Sequence, residues 1–238
     1  MEWMTFPALA LPGLRHGFSL RAPGIPREEL DAHLRPALAA QGYPVNTVVE
    51  AEQTHSALVA FVREVRPAPP GAPPSDSIHG APAPTLFLAR SEAPAELTPA
   101  GRVPVVDALV TMQPGVPLIV RVADCGPVLL YDPVRRAIAV AHSGRKGTEG
   151  RITEVTIRAM REYCGTDPRD LIVQLGPCIR PPHYEVAFAE EIGRQARAAG
   201  VVHYHDCELC TGCDLERFYS YRLELGKTGR MWGALMLE

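Results

Sequence analysis

Residues 118–147 read LIVRVADCGPVLLYDPVRRAIAVAHSGRKG, and this stretch decides the fold class. It holds three short apolar runs, each bounded by Gly, Pro or Asp: Leu118–Val122, Val128–Tyr131 and Ile138–Ala141. Short runs rich in β-branched residues with such boundaries are typical of buried strands. The stretch therefore predicts a sheet at the centre of the protein, with Cys125 between the first two strands and His142 after the third.

Further elements extend outward from this centre in both directions. The strand pattern recurs in three segments and the chain is extended in a fourth: Val103–Val110, Leu171–Leu175, Met231–Leu237 and Thr47–Val62. Apolar residues at helical spacing, ended by or close to a Gly, predict three helices: Pro26–Gly42, Thr148–Tyr163 and Glu185–Ala199. The sequence contains no internal repeat and no glycine-rich phosphate loop.

A proline-rich segment interrupts these elements, because seven of the 24 prolines fall within residues 67–84. Proline removes backbone donors and breaks helices, so this density predicts a surface loop or insertion. We place the insertion at about residues 67–104 of a single metalloenzyme domain that covers residues 1–238.

Composition narrows the class of protein. Of the 238 residues, 46% are apolar and 21% are charged, which is enough apolar surface for a sizeable core. The net charge of −3 gives no electrostatic reason to expect nucleic acid or a membrane surface as partner. The N-terminal residues 1–11 lack the features of a signal peptide, so we expect a cytoplasmic protein. The six cysteines are then expected to be free thiols or metal ligands rather than disulfides.

Three potential metal ligands lie where a predicted strand gives way to a turn, namely His55, Cys125 and His142. Two imidazoles and one thiolate suit zinc, and three protein ligands leave a fourth position for water or substrate. The residues also fit a hydrogen-bonded loop histidine and a small buried cysteine, and their spacing follows no metal-binding signature. Taken alone, they leave the metal site open.

Several segments resemble one known family. They are His16–Arg21, Gln53–His55, Asp107–Gly147, Leu175–Ile179 with Tyr184–Val186, and Cys210–Thr211 with Phe218–Arg222 and Thr228–Arg230. In this order they are similar to the laccase-like polyphenol oxidases, a family also associated with purine nucleoside phosphorolysis and peptidoglycan-precursor editing. The resemblance implies an α+β fold, a four-layer α/β/β/α sandwich with mixed sheets in one domain. It also implies a catalytic metal site made by His55, Cys125 and His142.

The sequence departs from the family pattern beside the metal ligands. The family's usual His-Ala-Gly-Trp-Arg-Gly is replaced by His142-Ser-Gly-Arg-Lys-Gly147, so Arg145 stands in place of an indole and Lys146 in place of an arginine. Gly126 replaces the bulky apolar residue that commonly follows the metal cysteine. These departures leave the substrate open. The candidates for substrate or phosphate contacts are Arg21, Gln53, Arg145, Lys146 and Arg222.

A second group of potential ligands occurs near the C-terminus, where Cys207, Cys210 and Cys213 follow His203 and His205. Their spacing could hold a second metal ion, and it also matches part of an iron–sulfur motif without the fourth cysteine. The alternative is a set of free thiols in a polar loop.

The resemblance implies as the leading function a zinc-dependent purine nucleoside phosphorylase, with adenosine, inosine or methylthioadenosine and phosphate as small-molecule partners. Adenosine deamination would be a side activity, and Asp124 would act as a general base or as a partner of a histidine ligand. One alternative is a cysteine or zinc amide hydrolase acting on peptidoglycan precursors, with Cys125 as nucleophile and His142 as base. Others are a laccase-like phenol oxidase with copper in place of zinc, and a non-catalytic zinc-stabilised binding protein.

Overall fold

The short apolar strands build two mixed sheets in the computed structural model, which describes residues 1–66, 85–89 and 102–238. The first sheet has the strand order β1-β2-β13-β8-β3-β6; these strands are β1 Trp3–Met4, β2 Leu14–Ser19, β3 Val49–Ala51, β6 Arg102–Val103, β8 Leu118–Val122 and β13 Met231–Leu237. The second sheet has the order β12-β11-β9-β10-β7-β4-β5; these are β4 Val59–Arg66, β5 Thr85–Ala89, β7 Ala108–Thr111, β9 Gly126–Asp132, β10 Ala137–Ser143, β11 Ile172–Leu175 and β12 His203–Asp206.

Helices cover the two outer faces. The helices are α1 Leu30–Ala40, α2 Arg145–Glu149, α3 Ile152–Cys164 and α4 Phe188–Ala198. Helix α1 packs on the first sheet through Leu30, Leu34 and Leu38. Helices α3 and α4 pack on the second sheet, and the two sheets face each other through β8, β9, β10 and β13. The layers therefore follow the order α/β/β/α, and the predicted α+β sandwich is confirmed.

The central strands are buried on both faces, which explains their continuous apolar sequences. In β10, Ile138 and Val140 face the core between the sheets, whereas Ala139 and Ala141 face the core under α3 and α4. Side chains alternate along a strand, so one strand serves two cores. The larger residues lie between the sheets, and the alanines let the helices approach the second sheet.

Some predicted elements differ from the structure. The predicted strand Val103–Val110 is interrupted, because the chain leaves the first sheet at Val103 and joins the second at Ala108, with Val105 at a φ of 53°. The predicted helix Thr148–Tyr163 begins earlier, at Arg145, and is divided at Arg151, whose φ is 61°. Strands β2 and β12 carry polar residues and were not predicted.

Most of the proline-rich insertion predicted at about residues 67–104 lies outside the described residues. The described parts of that range form β5 and β6, which pair with β4 and β3. None of the helices in the described residues is long and apolar enough to cross a membrane.

Candidate metal centre

The chain passes from the first sheet to the second three times within the described residues, and these crossings build the site. They run from β3 to β4, from β6 to β7 and from β8 to β9. The first crossing carries His55, the second carries Asp107 and the third carries Cys125. His142 lies in β10, opposite Pro127 of β9, and its backbone N–H donates to the Asp107 carbonyl at 2.7 Å.

The side chains of His55, Cys125 and His142 converge there, and we call them the ligand triad. Their potential ligand atoms all lie within 4.8 Å of one another. Cys125 Sγ is 4.0 Å from His55 Nε2, and the two imidazole rings meet edge to face with centroids 4.8 Å apart. His142 is buried and His55 is exposed, so the triad opens to solvent on one side.

The carboxylate of Asp107 holds His142 and the backbone of His55 in place through hydrogen bonds. Its Oδ1 accepts hydrogen bonds from His142 Nδ1 at 2.8 Å and from the His55 backbone N–H at 3.0 Å. Its Oδ2 accepts from the backbone N–H groups of Thr54 at 3.1 Å and Ser56 at 2.6 Å. Because the Asp107 carboxylate holds a proton on Nδ1 of His142, it leaves Nε2 of that ring as the free ligand atom.

Burial has the largest single effect on each pKa in the triad and on Asp107, but close contacts together outweigh it. Burial alone would raise the pKa of Cys125, but hydrogen bonds with His142 and His55 lower it below the usual value. Burial would lower the pKa of His142, but Asp107 and Cys125 raise it. Burial would raise the pKa of Asp107, but the hydrogen bonds from His142 and Ser56 hold it at about 2. The site therefore favours a thiolate beside an ionised carboxylate.

The chemistry of this donor set fits a metal ion. Among the described residues, the ligand triad is the group of His, Cys, Asp or Glu side chains that comes close enough to hold one. Two imidazoles and a thiolate are ligands of the kind zinc takes, and the carboxylate behind His142 is the partner that metal-bound histidines commonly have. Gly144 leaves room for the thiol, since a Cβ there would lie 2.5 Å from Cys125 Sγ.

The triad opens into a cleft of about 870 Å³. This volume suits a small molecule and lies in the usual range for ligand pockets. The aromatic residues Tyr184, Phe188 and Tyr221 line the cleft together with several arginines. The cleft therefore offers flat apolar surfaces and cationic groups beside the ligand triad.

A family of known proteins matches this chain. The family described as multi-copper polyphenol oxidoreductase laccase matches residues 26–197 and 187–238. The chain belongs to this family. The resemblance predicted from the sequence motifs is confirmed.

Proteins similar in sequence to this chain carry a different functional name. The chain is 37% identical to a purine nucleoside phosphorylase of Deinococcus radiodurans over 157 residues, which are 55% of this chain and 61% of that protein. It is 36% identical to the purine nucleoside phosphorylase SCO2081 of Streptomyces coelicolor over 57% of this chain and 66% of that protein. The chain thus spans less than two thirds of either relative.

A solved structure shows the same fold. YlmD from Geobacillus stearothermophilus superposes with a TM-score of 0.76 at 23% identity, covering 99% of this chain and 96% of that chain. The fold of YlmD therefore extends over almost the whole of this chain.

Asp124, predicted as a general base or as a partner of a histidine ligand, is a buried corner residue with a φ of 82°. Its carboxylate accepts hydrogen bonds from the hydroxyls of Thr211 at 2.6 Å and Ser220 at 3.1 Å and from the backbone N–H of Arg222 at 2.7 Å. These bonds tie the C-terminal segment to the site. The residue that hydrogen-bonds a histidine of the triad is Asp107 instead, an acidic residue whose place in an apolar run was the signal for it.

The predicted substrate contacts are divided between the cleft and its surroundings. Among the described residues, Gln53, Arg145 and Arg222 line the cleft, whereas Arg21 and Lys146 do not. The Gln53 amide is hydrogen-bonded to both the N–H and the carbonyl of Arg121, at 2.8 and 2.7 Å. Its polar atoms therefore stabilise the backbone of the cleft wall.

The cleft-lining arginines that were predicted already have acidic partners. Arg145 Nε lies 3.1 Å from Glu149, and Arg222 Nη2 lies 2.9 Å from Glu185. Arg145 takes the place of the family's indole and is one of the first residues of α2, with 55% of its side chain exposed. Both guanidiniums are partly neutralised at the rim of the cleft.

The three cysteines considered for a second metal do not form a group close enough to hold one in the described part of the chain. Cys207 packs against the core between the sheets and burial raises its pKa to about 11, while Cys213 is exposed. Cys210 forms a β-bridge with Cys178. The thiols of Cys210 and Cys213 contact each other, but these two residues alone do not make a group of three ligands.

Proposed function

We propose that this chain is a zinc-dependent purine nucleoside phosphorylase that cleaves adenosine, inosine or methylthioadenosine, with adenosine deamination as a side activity. The observation that carries the proposal is the ligand triad opening into a cleft with aromatic and guanidinium groups. The names of the Deinococcus and Streptomyces relatives support the same reaction class.

The ligand triad would hold the metal. A bound zinc ion supplies Lewis-acid polarisation of a substrate atom at its open position. Asp107 keeps the proton of His142 on Nδ1, and Gly144 leaves space for the Cys125 thiolate. These two residues fix the ligands before metal or substrate arrives, which reduces the reorganisation needed on binding.

Phosphorolysis joins a phosphate oxygen to C1′ of the ribose and breaks the bond between C1′ and the purine nitrogen. The electron pair of that bond leaves with the purine, which takes up a proton. Tyr184 and Phe188, whose ring centroids lie 5.8 Å apart, offer surfaces on which a purine can stack. Cationic side chains of the cleft wall position the phosphate.

A second candidate function is favoured by one specific arrangement. Cys125, His142 and Asp107 stand in the order of nucleophile, base and orienting carboxylate, and the pKa of Cys125 is lowered by the two histidines. Without metal, this arrangement could attack an amide carbonyl, as in a peptidoglycan precursor. Zinc and the nucleophile would compete for the same thiolate.

Products and metal content separate these functions. Protein with a measured zinc content is incubated with adenosine, with and without phosphate, and the products are identified by chromatography. We expect adenine and ribose 1-phosphate only when phosphate is present, and loss of turnover after chelation that added zinc restores. Inosine formed without phosphate would assign deamination. Amide cleavage that increases after chelation, with no nucleoside turnover, would replace the proposal with the hydrolase; phenol oxidation restored by copper alone would assign the oxidase.

A further inference from the structure

Arg230 is a half-buried cation in the cleft without an acidic partner. Its Nη1 donates hydrogen bonds to the carbonyls of Gly229 at 2.9 Å and Thr228 at 3.4 Å, and its guanidinium lies 5.6 Å from the ring centroid of Tyr221. In the described residues no carboxylate forms an ion pair with it. The other cleft arginines discussed above each have one, so Arg230 differs from them in carrying an uncompensated charge.

Nearby positive charges raise the free-energy cost of keeping Arg230 ionised. Arg27 and Arg121 line a second concavity together with Arg230, and Arg121 and Arg230 also line the main cleft. Burial lowers the pKa of Arg230 and the positive charge of Arg27 lowers it further, and together these outweigh Cys125, Tyr221 and Asp124, which raise it. Burial and Arg230 lower the pKa of Arg121 to about 10, although Arg121 also pairs with Asp31. A partly buried charge among like charges destabilises a fold unless something with the opposite charge binds there.

The strand register brings Arg230 close to the metal ligands. Met231 of β13 pairs with Val122 of β8, so residue 230 lies level with residue 123, two residues before Cys125. Gly229 permits close packing of the backbone before β13, because a Cβ there would lie 2.4 Å from Leu30 and 2.7 Å from Tyr219. The backbone therefore holds Arg230 on the side of the cleft formed by β8 and β13.

We propose that Arg230, supported by Arg121 and Arg27, is the subsite that binds inorganic phosphate as the co-substrate. The guanidinium would donate to phosphate oxygens, and the bound dianion would neutralise a cation that has no ion-pair partner among the described residues. This assignment rests on the proposed phosphorolysis and places phosphate beside β13 rather than at the predicted rim residues Arg145 and Lys146.

The test compares Arg230→Ala, Arg230→Lys and Arg158→Ala, an exposed arginine of α3 that serves as the control. Binding of radiolabelled inorganic phosphate to the zinc-loaded protein is measured by equilibrium dialysis without nucleoside. Phosphate and nucleoside KM values are measured separately, and zinc content and thermal unfolding report on folding. We expect Arg230→Ala to weaken phosphate binding about 10- to 100-fold, the range for loss of a charge-assisted hydrogen bond, with a smaller loss in Arg230→Lys.

The same variant should keep its zinc and its nucleoside KM, and it should unfold at the wild-type temperature or higher in phosphate-free buffer. Phosphate should raise the unfolding temperature of wild type and Arg158→Ala but not of Arg230→Ala. Unchanged phosphate binding in a folded Arg230→Ala would overturn the subsite, even if phosphorolysis occurs. Loss of phosphate binding without any nucleoside cleavage would keep the subsite as an anion site and reject the proposed function. Arg230-dependent binding of adenosine 5′-monophosphate, with none of inorganic phosphate, would overturn the co-substrate assignment.

Discussion

Asp107→Asn tests whether one buried carboxylate organises the ligand triad. The substitution keeps the size of the side chain but replaces one acceptor oxygen by a donor NH₂ group. If the amide oxygen keeps the bonds to His142 and His55, the new nitrogen faces the backbone N–H groups of Thr54 and Ser56, which lie 3.1 and 2.6 Å from Oδ2. Two donors then lose their acceptor, and the remaining bonds lose their charge.

The size of the expected loss in the free energy of unfolding follows from these hydrogen bonds. Hydrogen bonds to a charged group contribute roughly 1.5–3 kcal/mol and neutral ones about 1 kcal/mol, while water can reach the partly exposed Thr54 and Ser56. We therefore expect the free energy of unfolding to fall by about 2–4 kcal/mol. Loss of the carboxylate behind His142 should also weaken zinc binding by about 10- to 100-fold.

Asp132→Asn is the matched control. Asp132 is also fully buried in the second sheet, and its Oδ1 accepts the backbone N–H groups of Val134 and Arg135, both at 2.9 Å. Its Oδ2 has no hydrogen-bond partner among the described residues, so an amide nitrogen there displaces no donor. We expect a change within about 1 kcal/mol and unaltered zinc affinity.

Urea unfolding in the presence of a chelator gives the stability of both variants, and competition with a chromophoric chelator gives their zinc affinity. If Asp107→Asn is as stable as wild type and binds zinc equally well, Asp107 does not organise the site. Equal losses in both variants would mean that any buried carboxylate in this sheet has the same effect.

Four further substitutions test other residues of the site. We expect mass spectrometry to find about one zinc per wild-type chain and almost none in Cys125→Ala or His142→Ala, because two protein ligands rarely retain zinc; full occupancy in either variant would refute the triad. Gly144→Ala places a Cβ 2.5 Å from Cys125 Sγ and should weaken zinc binding at least about tenfold, whereas unchanged affinity would mean that the thiol lies elsewhere in the zinc-bound protein. Arg145→Ala should lower kcat/KM by no more than about fivefold, since its exposed guanidinium is paired with Glu149; a larger loss would support the predicted contact of Arg145 with substrate or phosphate.

Local sequence patterns were sufficient to predict the central strands. The segments Leu118–Val122 and Met231–Leu237 agree with β8 and β13 at both ends, because a buried strand is a continuous apolar run whatever lies beside it. The predicted strand Val103–Val110 was wrong in its middle. The apolar residues on either side of Asp107 belong to different sheets, and periodicity along the chain does not show where the chain changes sheet.

The ligand triad was named from the motifs, but the sequence carries no information about its geometry. His55 and Cys125 are 70 residues apart, and they meet because three crossings between the sheets occur at the same end of the sandwich. That coincidence depends on long-range strand pairing. The spacing of the ligands therefore left the site open, and the resemblance to a family was needed to predict it.

The roles of the charged residues were decided by tertiary structure alone. The sequence analysis proposed Arg145 and Arg222 as substrate or phosphate contacts and did not propose Arg230. In the fold, the first two pair with Glu149 and Glu185, whereas Arg230 has no ion-pair partner among the described residues and lies near Arg27. The sequence shows which side chains are charged. Whether a charged side chain has an oppositely charged partner depends on which residues the fold places beside it.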